Sequence, residues 1–106
     1  MTFRELQVHA LARRKLLPFV RSLEDCDLLI AIGAANEAGA SLGLKQLQLL
    51  NIASPSTVHR KIRTLVATRA IKKSLLKGDG RRVVYTLTAK TRVAFKAYVS
   101  QLRNIC

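Results

Sequence analysis

The sequence is poor in the residue types on which several classes of protein depend. Its 106 residues include no tryptophan, two cysteines, six acidic residues and five aromatic side chains. So few aromatics argue against recognition of single-stranded RNA by base stacking. Two cysteines cannot supply a disulfide framework, and six acids leave few candidates for acid–base catalysis. These absences favour a binding protein over an enzyme.

The cysteines, the histidines and the apolar segments narrow the choice further. Cys26 lies in an apolar segment and is expected to be a small buried side chain, while Cys106 is the last residue; a redox switch remains an alternative. His9 and His59 are far apart and have no Cys or acid at ligand spacing, so neither a metal nor a cofactor is expected. The most apolar run, residues 28–35, is too short to span a bilayer. With no signal peptide at the N-terminus, we expect a cytoplasmic protein without a membrane partner.

Positive charge is what the sequence has in excess. The net charge is +13, from 19 lysines and arginines against six acids. Residues 45–106 carry fourteen basic residues and one acid, whereas residues 22–44 carry four acids and no basic residue. Solubility does not require so large an excess. A polyanion is the expected partner, because each phosphate that a protein neutralises releases condensed counterions. A basic protein with a merely solvated surface is the alternative.

The first half of the chain predicts two helices. Hydrophobic residues make up 49% of the sequence, so one folded domain over residues 1–106 is expected. Thr2 is a capping residue for a helix over residues 2–17. Ser22 caps a second helix, which Gly39 ends. The second helix is apolar nearly all round, so we expect it to be buried at the centre of the domain.

The next segment predicts two helices joined by a turn. A short helix over residues 44–50 is followed by a turn over residues 51–53. Ser54 then caps a longer helix that has Pro55 at its first position. Four apolar residues of this helix share one stripe by their i, i+4, i+7, i+8 spacing: Val58, Ile62, Leu65 and Val66. The opposite face is polar and basic.

A β-hairpin and a last helix complete the chain. Residues 71–76 and 83–87 contain segments of β-type composition, and the four residues between 77 and 80 read Lys-Gly-Asp-Gly, a strong turn signal. A final helix is predicted over residues 88–104. The fold class is therefore mainly α with one small β-hairpin.

This order of elements resembles a winged helix-turn-helix, and more narrowly the MarR-like family of transcriptional regulators. The resemblance covers roughly residues 24–98, and the hairpin matches most closely. The matching positions are Leu47, the run Ser54-Pro55-Ser56-Thr57-Val58, Leu65, Ile71, Asp79-Gly80-Arg81 and Leu87-Thr88.

Some positions depart from the pattern of that family. Gln48 replaces a small residue, Arg69 replaces a glycine that ends the longer helix, and Thr91 replaces a glycine after the Leu-Thr pair. The sequence ends at residue 106. The resemblance therefore implies a reduced relative that lacks the long final helix, such as a phage- or plasmid-type regulator.

The polar face of the longer helix is the predicted DNA-reading surface. A helix of this kind enters the major groove, where Arg can make a bidentate contact to guanine. The candidates are Ser54, Ser56, Thr57, His59, Arg60, Arg63 and Thr64. In the hairpin, which the resemblance identifies as the wing, the candidates are Lys77, Arg81 and Arg82. The resemblance also implies that Arg81 enters the minor groove and that Asp79 holds the wing by pairing with a basic group. The expected contacts to the DNA backbone are Lys45, Lys61, Lys72 and Lys73.

The first and last helices are the predicted dimer interface. Both carry apolar residues that have no other obvious partner in the chain: Phe3, Leu6, Ala94, Tyr98, Leu102 and Ile105. The predicted function is sequence-specific binding of double-stranded DNA by a homodimer that regulates transcription, with repression as the expected sign. Two alternatives stay open. One is a nucleoid- or replication-associated binder with little sequence preference, or an RNA binder. The other is a winged-helix module for protein interactions.

Overall fold

A computed structural model describes residues 2–76 and 82–105, with the side chains of the last helix as far as Arg103. The predicted turn at 77–80 and the side chains of Lys77, Arg81 and Ile105 lie outside this description. The element order confirms the predicted fold class, mainly α with a two-stranded antiparallel hairpin. The elements are α1 (Phe3–Leu16), α2 (Leu23–Glu37), α3 (Leu44–Gln48), α4 (Pro55–Ala67), β1 (Ile71–Leu76), β2 (Arg82–Leu87) and α5 (Ala89–Ile105).

The helix boundaries follow the capping residues of the sequence. The side chains of Thr2, Ser22 and Ser54 each accept a hydrogen bond from the backbone N–H three residues further on. Gly39, with φ of 79°, ends α2 in the left-handed region that favours glycine. Helix α3 is two residues shorter than predicted, because the chain turns after Gln48 and reverses at Asn51, whose φ is 58°.

The core lies between α2, α3, α4 and the hairpin. Its fully buried side chains include Leu28, Leu29 and Ile32 of α2 and Leu47 of α3. Helix α2 is, however, buried on one side only, contrary to the expectation of a helix covered all round. Leu23 and Ile30 are 64% and 51% exposed, because this seven-residue spacing places both on the side that faces away from the core.

The hairpin and the terminal helices frame this core. Strands β1 and β2 pair in the register Ile71↔Leu87, and Leu42 adds a single bridge to Tyr85 on the other edge of β2. Helix α1 packs against α5, and α2 packs against β2. Within the described ranges, no helix combines the length and the apolar character that crossing a membrane requires.

The junction after α4 contains two of the positions that depart from the pattern of the MarR-like family, Arg69 and Thr91. The Ala70 N–H donates to the Leu65 carbonyl at 2.9 Å, and the Arg69 N–H donates to the Val66 carbonyl at 3.0 Å. This pair of hydrogen bonds is the Schellman motif, which ends a helix around a residue in the left-handed conformation. Arg69 occupies that position with φ of 62°. Thr91 is fully buried, and its hydroxyl donates to the Ala70 carbonyl at 2.7 Å. Its side chain therefore ties α5 to this junction.

Replacing Arg69 by glycine is expected to stabilise the protein. A left-handed conformation costs a non-glycine residue about 1–2 kcal/mol, which exceeds the roughly 0.5–1 kcal/mol of extra chain entropy that glycine loses on folding. Arg69→Gly should therefore raise the free energy of unfolding by about 0.5–1 kcal/mol, measured by urea denaturation. Arg69→Ala is the control, because it removes the exposed guanidinium and keeps the left-handed strain. Equal effects of the two substitutions would contradict this explanation.

Candidate nucleic-acid interface

The start of α4 is fixed by polar contacts on both sides of the turn before it. Ser54 Oγ accepts from the Thr57 N–H at 3.4 Å and donates to Thr57 Oγ1 at 2.9 Å. Pro55, at the first helical position, needs no N–H partner. Gln48 Nε2, at the end of α3, donates to the Pro55 carbonyl at 2.9 Å. The first turn of α4 is therefore held by its own cap and by α3.

Helix α4 has one buried face and one exposed face, as its spacing predicts. Val58, Ile62 and Leu65 are at most 2% exposed and belong to the core. The exposed side chains at the front carry hydroxyl, imidazole and guanidinium groups and no carboxylate: Ser56, His59, Arg60, Arg63 and Thr64. Such a face can donate hydrogen bonds to phosphates or base edges without any rearrangement of the core.

Three of the predicted α4 residues also make hydrogen bonds within the helix and its cap. Ser54 and Thr57 form the cap, and Thr57 is only half-buried. The Thr64 hydroxyl donates to the Arg60 carbonyl at 3.1 Å. The hydroxyls of Ser54 and Thr64 thus donate within the protein, whereas Thr57 Oγ1 accepts. Within residues 2–76 and 82–103, the side chains of Ser56, His59, Arg60 and Arg63 donate no hydrogen bond to another protein group.

Further basic residues flank α4 on the hairpin and on α3. Lys73 lines a groove of about 250 Å³ between α4 and the hairpin, together with Arg63 and Tyr85. Lys45 and Arg82 line a second depression, between the start of α3 and the start of β2. All three cationic side chains are exposed. The structure thus places Lys73 beside the front of α4, and Lys45 beside Arg82.

Two of the predicted backbone contacts do not fit this surface. Lys72 lines a different depression, with Asn36, Thr86 and Arg92, because successive residues of a strand point to opposite faces of the sheet. Lys61 points inward and lies 3.2 Å from a carboxylate oxygen of Asp25, with its side chain 14% exposed. Neither lysine shares the front of α4, so both lie apart from the other proposed contacts.

The residues predicted for dimerisation divide into two groups. Phe3 and Leu6 of α1 are 89% and 48% exposed. Ala94, Tyr98 and Leu102 of α5 are half-buried, on a helix that packs against α1 within the same chain. The terminal helices therefore partly cover each other and leave an apolar surface on α1.

The described residues give little support for a metal site or for a reactive cysteine. No three His, Cys, Asp or Glu side chains of residues 2–76 and 82–105 come together as a metal site. Burial raises the pKa of the Cys26 thiol; nearby Arg13 opposes this, and Asp27 and Asp25 add to it. A thiol in this environment is mostly protonated near neutral pH and is a poor nucleophile.

Three contacts that position α4 were not anticipated from the sequence. They are the hydrogen bond of Gln48 to the start of α4, the hydroxyl of Thr91 on the Ala70 carbonyl, and the pairing of Lys61 with Asp25. Gln48 and Thr91 had a signal, since each is a departure from the family pattern. The pairing of Lys61 with Asp25 joins residues 36 positions apart and has no local signature.

Comparison with known proteins shows the fold but not the family. No protein-family model and no curated protein matches the sequence. The crystal structure of RV1404 from Mycobacterium tuberculosis matches 94% of this chain with a TM-score of 0.77 and 16% identity. BpsR from Bordetella bronchiseptica, whose DNA binding is regulated by 6-hydroxynicotinic acid, matches 96% with a TM-score of 0.60 and 21% identity. This chain spans 65% of the RV1404 chain and 71% of the BpsR chain. The winged-helix fold class is thereby confirmed, and membership of the MarR-like family stays a prediction.

Loss of the Ser54 hydroxyl is expected to loosen the start of α4. Ser54→Ala removes the acceptor for the Thr57 N–H and should lower the free energy of unfolding by about 1 kcal/mol, measured by urea denaturation. Ser56→Ala is the matched control, because Ser56 is exposed in the same turn; it should change stability by less than about 0.5 kcal/mol. If both serines contributed equally, the cap would not be what holds this turn.

Proposed function

We propose that this protein binds double-stranded DNA in a sequence-specific manner and regulates transcription, with α4 in the major groove and the hairpin on the flanking backbone. The observation that carries this proposal is the exposed front of α4, which presents Arg60 and Arg63 on a helix whose other face is fully buried. A rigid helix with several free donors matches the donor and acceptor pattern of base edges in the major groove. A bound protein that covers a promoter would repress it.

The charge around α4 supports a nucleic-acid partner. Lys73 lies beside Arg63, and Lys45 lies beside Arg82, so cations extend from the helix towards the hairpin and towards α3. Contacts from such residues to phosphates fix the register of a protein on the duplex, whereas base contacts specify the sequence. We assign Lys45, Lys73 and Arg82 to the backbone and Arg60 and Arg63 to the bases. Lys77 and Arg81 remain proposed wing contacts on the strength of the family resemblance.

The same fold also permits binding without sequence preference. Much of the positive charge lies away from α4, for example at Arg13 and Arg14 of α1 and at Lys96 of α5, and counterion release alone supplies non-specific affinity. A nucleoid- or replication-associated role is therefore the second candidate. The two candidates differ in the ratio of specific to non-specific affinity, which is typically 10³ or more for a sequence-specific regulator.

A homodimer is the proposed form of the protein on DNA. Phe3 and Leu6 leave apolar surface on α1, and α1 packs against α5. The described chain has a radius of gyration of 14.6 Å, against about 13 Å for a compact domain of this length. This elongation is consistent with terminal helices that meet a second copy, and a two-fold dimer reads a palindromic site.

Selection of bound duplexes from a random pool tests both parts of the proposal. We expect an enriched palindrome whose half-sites lie about one helical turn apart, or a multiple of it. Sedimentation at micromolar concentration should give a dimer. Equal retention of all sequences would favour the non-specific candidate, and a single half-site with a monomer in solution would overturn the dimer.

Substitution of Arg60 separates base reading from phosphate binding on the selected site. Arg60→Ala should weaken binding to that site by about 1–3 kcal/mol and should relax the preference at one base position. The measurement is the dissociation constant on the selected duplex and on variants at each position. Arg14→Ala removes the same charge from an exposed position of α1 and should leave the base preference unchanged. An equal loss on all sequences would show that Arg60 contacts phosphate only.

A further inference from the structure

Lys61 differs from the other cations of α4, because its side chain is taken up by the protein itself. Its Nζ lies 3.1 Å from Ser22 Oγ, 3.2 Å from Asp25 Oδ1 and 3.9 Å from Glu24 Oε1. The Lys61 side chain is 14% exposed and the Asp25 side chain 11%. Within 4 Å, the ion pairs found in the described part of the chain are those of Lys61 with Asp25 and with Glu24. Helix α4 is thus attached to the start of α2 by a partly buried charge pair.

The acceptor side of this pair is itself held in place. Asp25 Oδ2 accepts from the Arg21 N–H at 3.3 Å, and Ser22 Oγ accepts from the Asp25 N–H at 3.1 Å. Asp25 lies in the first turn of α2, where the helix dipole favours a negative charge. Each oxygen that Lys61 contacts belongs to residues 22–25. The carboxylate is therefore a fixed point, and the flexible lysine side chain adapts to it.

The position of Lys61 in α4 makes this attachment relevant to the DNA-facing side chains. Arg60 precedes it and Arg63 follows two residues later, so at about 100° per residue Arg63 lies nearly opposite Lys61 and Arg60 lies about a quarter of a turn from it. The apolar stripe alone allows a helix to roll or slide slightly over its neighbours, since hydrophobic burial is not directional. The contacts of Lys61 Nζ with two carboxylates and one hydroxyl add a directional interaction near the middle of α4.

We propose that Lys61 is a positioning residue, which through Asp25 and Ser22 fixes the orientation of α4 and hence the direction in which Arg60 and Arg63 point. This role rests on the proposed function, because orientation matters for the reading of base edges. Replacing a buried ion pair by apolar residues of similar volume is often neutral or stabilising, and in some proteins such a pair contributes structural specificity instead.

The decisive experiment compares two neutralised carboxylates on the same helix. Asp25→Asn and Asp27→Asn both remove one negative charge from a protein that binds a polyanion, so electrostatics alone predicts equal or tighter DNA binding for both. Asp27 is exposed and makes no ion pair within 4 Å among the described residues. If Asp25 positions α4 through Lys61, Asp25→Asn should instead weaken binding to the selected duplex by roughly fivefold or more, the usual scale of coupling between sites. Asp27→Asn should not weaken it.

Binding is measured at several salt concentrations, below the thermal midpoint of each variant and with correction for the folded fraction. If the wild type binds no DNA, the proposed function fails and the positioning role fails with it. If the wild type binds and the two asparagine variants behave alike, the positioning role alone is overturned.

A second pair of variants decides the case if Asp25→Asn does not fold. Lys61→Met and Lys96→Met each remove one positive charge, the first from the pair with Asp25 and the second from an exposed position of α5. A positioning role predicts the larger loss of affinity for Lys61→Met, with the slope of log K against log salt unchanged. A slope that falls by about 0.9 would show that Lys61 contacts a phosphate directly. Equal affinities of the two variants would also overturn the proposal.

Discussion

The burial of one apolar stripe on α4 is the interaction on which the rest of this structure depends. Val58, Ile62 and Leu65 are removed from water almost completely, and each such side chain contributes roughly 1.5–3 kcal/mol. A 13-residue helix would be marginal by itself in water. Its packing against the core therefore makes α4 stable, and it leaves the opposite face outside the core. Apart from Thr64, whose hydroxyl donates to the Arg60 carbonyl, the polar and basic side chains of that face are available for a ligand.

Polar contacts then fix what the apolar stripe leaves undetermined. Gln48 and Ser54 hold the first turn of α4, and the bonds around Arg69 close its last turn. The Thr91 hydroxyl of α5 donates to the Ala70 carbonyl and so connects α5 to the end of α4. Each hydrogen bond contributes only about 1 kcal/mol of net stability, but each has a direction. Together they define where the helix starts and ends and how the hairpin leaves it.

The parts of this fold that were predictable from sequence are those that depend on local chemistry. Spacing and residue type predict the apolar stripe of α4, the glycine that ends α2, and the helix caps at Thr2, Ser22 and Ser54. Each of these features is found in the expected place. The exposed side of α2 is not predictable, because composition alone does not show which side of an apolar helix is covered. Leu23 and Ile30 are exposed although their neighbours are fully buried.

In the predicted interface, too, the features that depend on local chemistry were predictable and those that depend on tertiary contacts were not. The front of α4 followed from helical geometry, so Arg60 and Arg63 were placed correctly on the exposed face. The pairing of Lys61 is not predictable, because its carboxylate partner is 36 residues away and charge type alone does not reveal such a pairing. Lys72 and Lys73 are neighbours in sequence, but the alternation of side chains along the strand puts them on opposite faces. Sequence reasoning identifies the cations, and tertiary contacts decide which of them remain available.

The distribution of acids explains why the front of α4 remains strongly cationic. Three of the six acids, Glu24, Asp25 and Asp27, lie in the first turns of α2, where the helix dipole stabilises them and where two of them face Lys61. Arg60 and Arg63 have no carboxylate within 4 Å among the described residues, and like charges three residues apart on a helix repel by a few tenths of a kcal/mol. No carboxylate of the described residues lies close enough to compensate this repulsion in the free protein. A polyanion laid along α4 would relieve this repulsion, so the arrangement that slightly destabilises the free helix would favour the proposed complex.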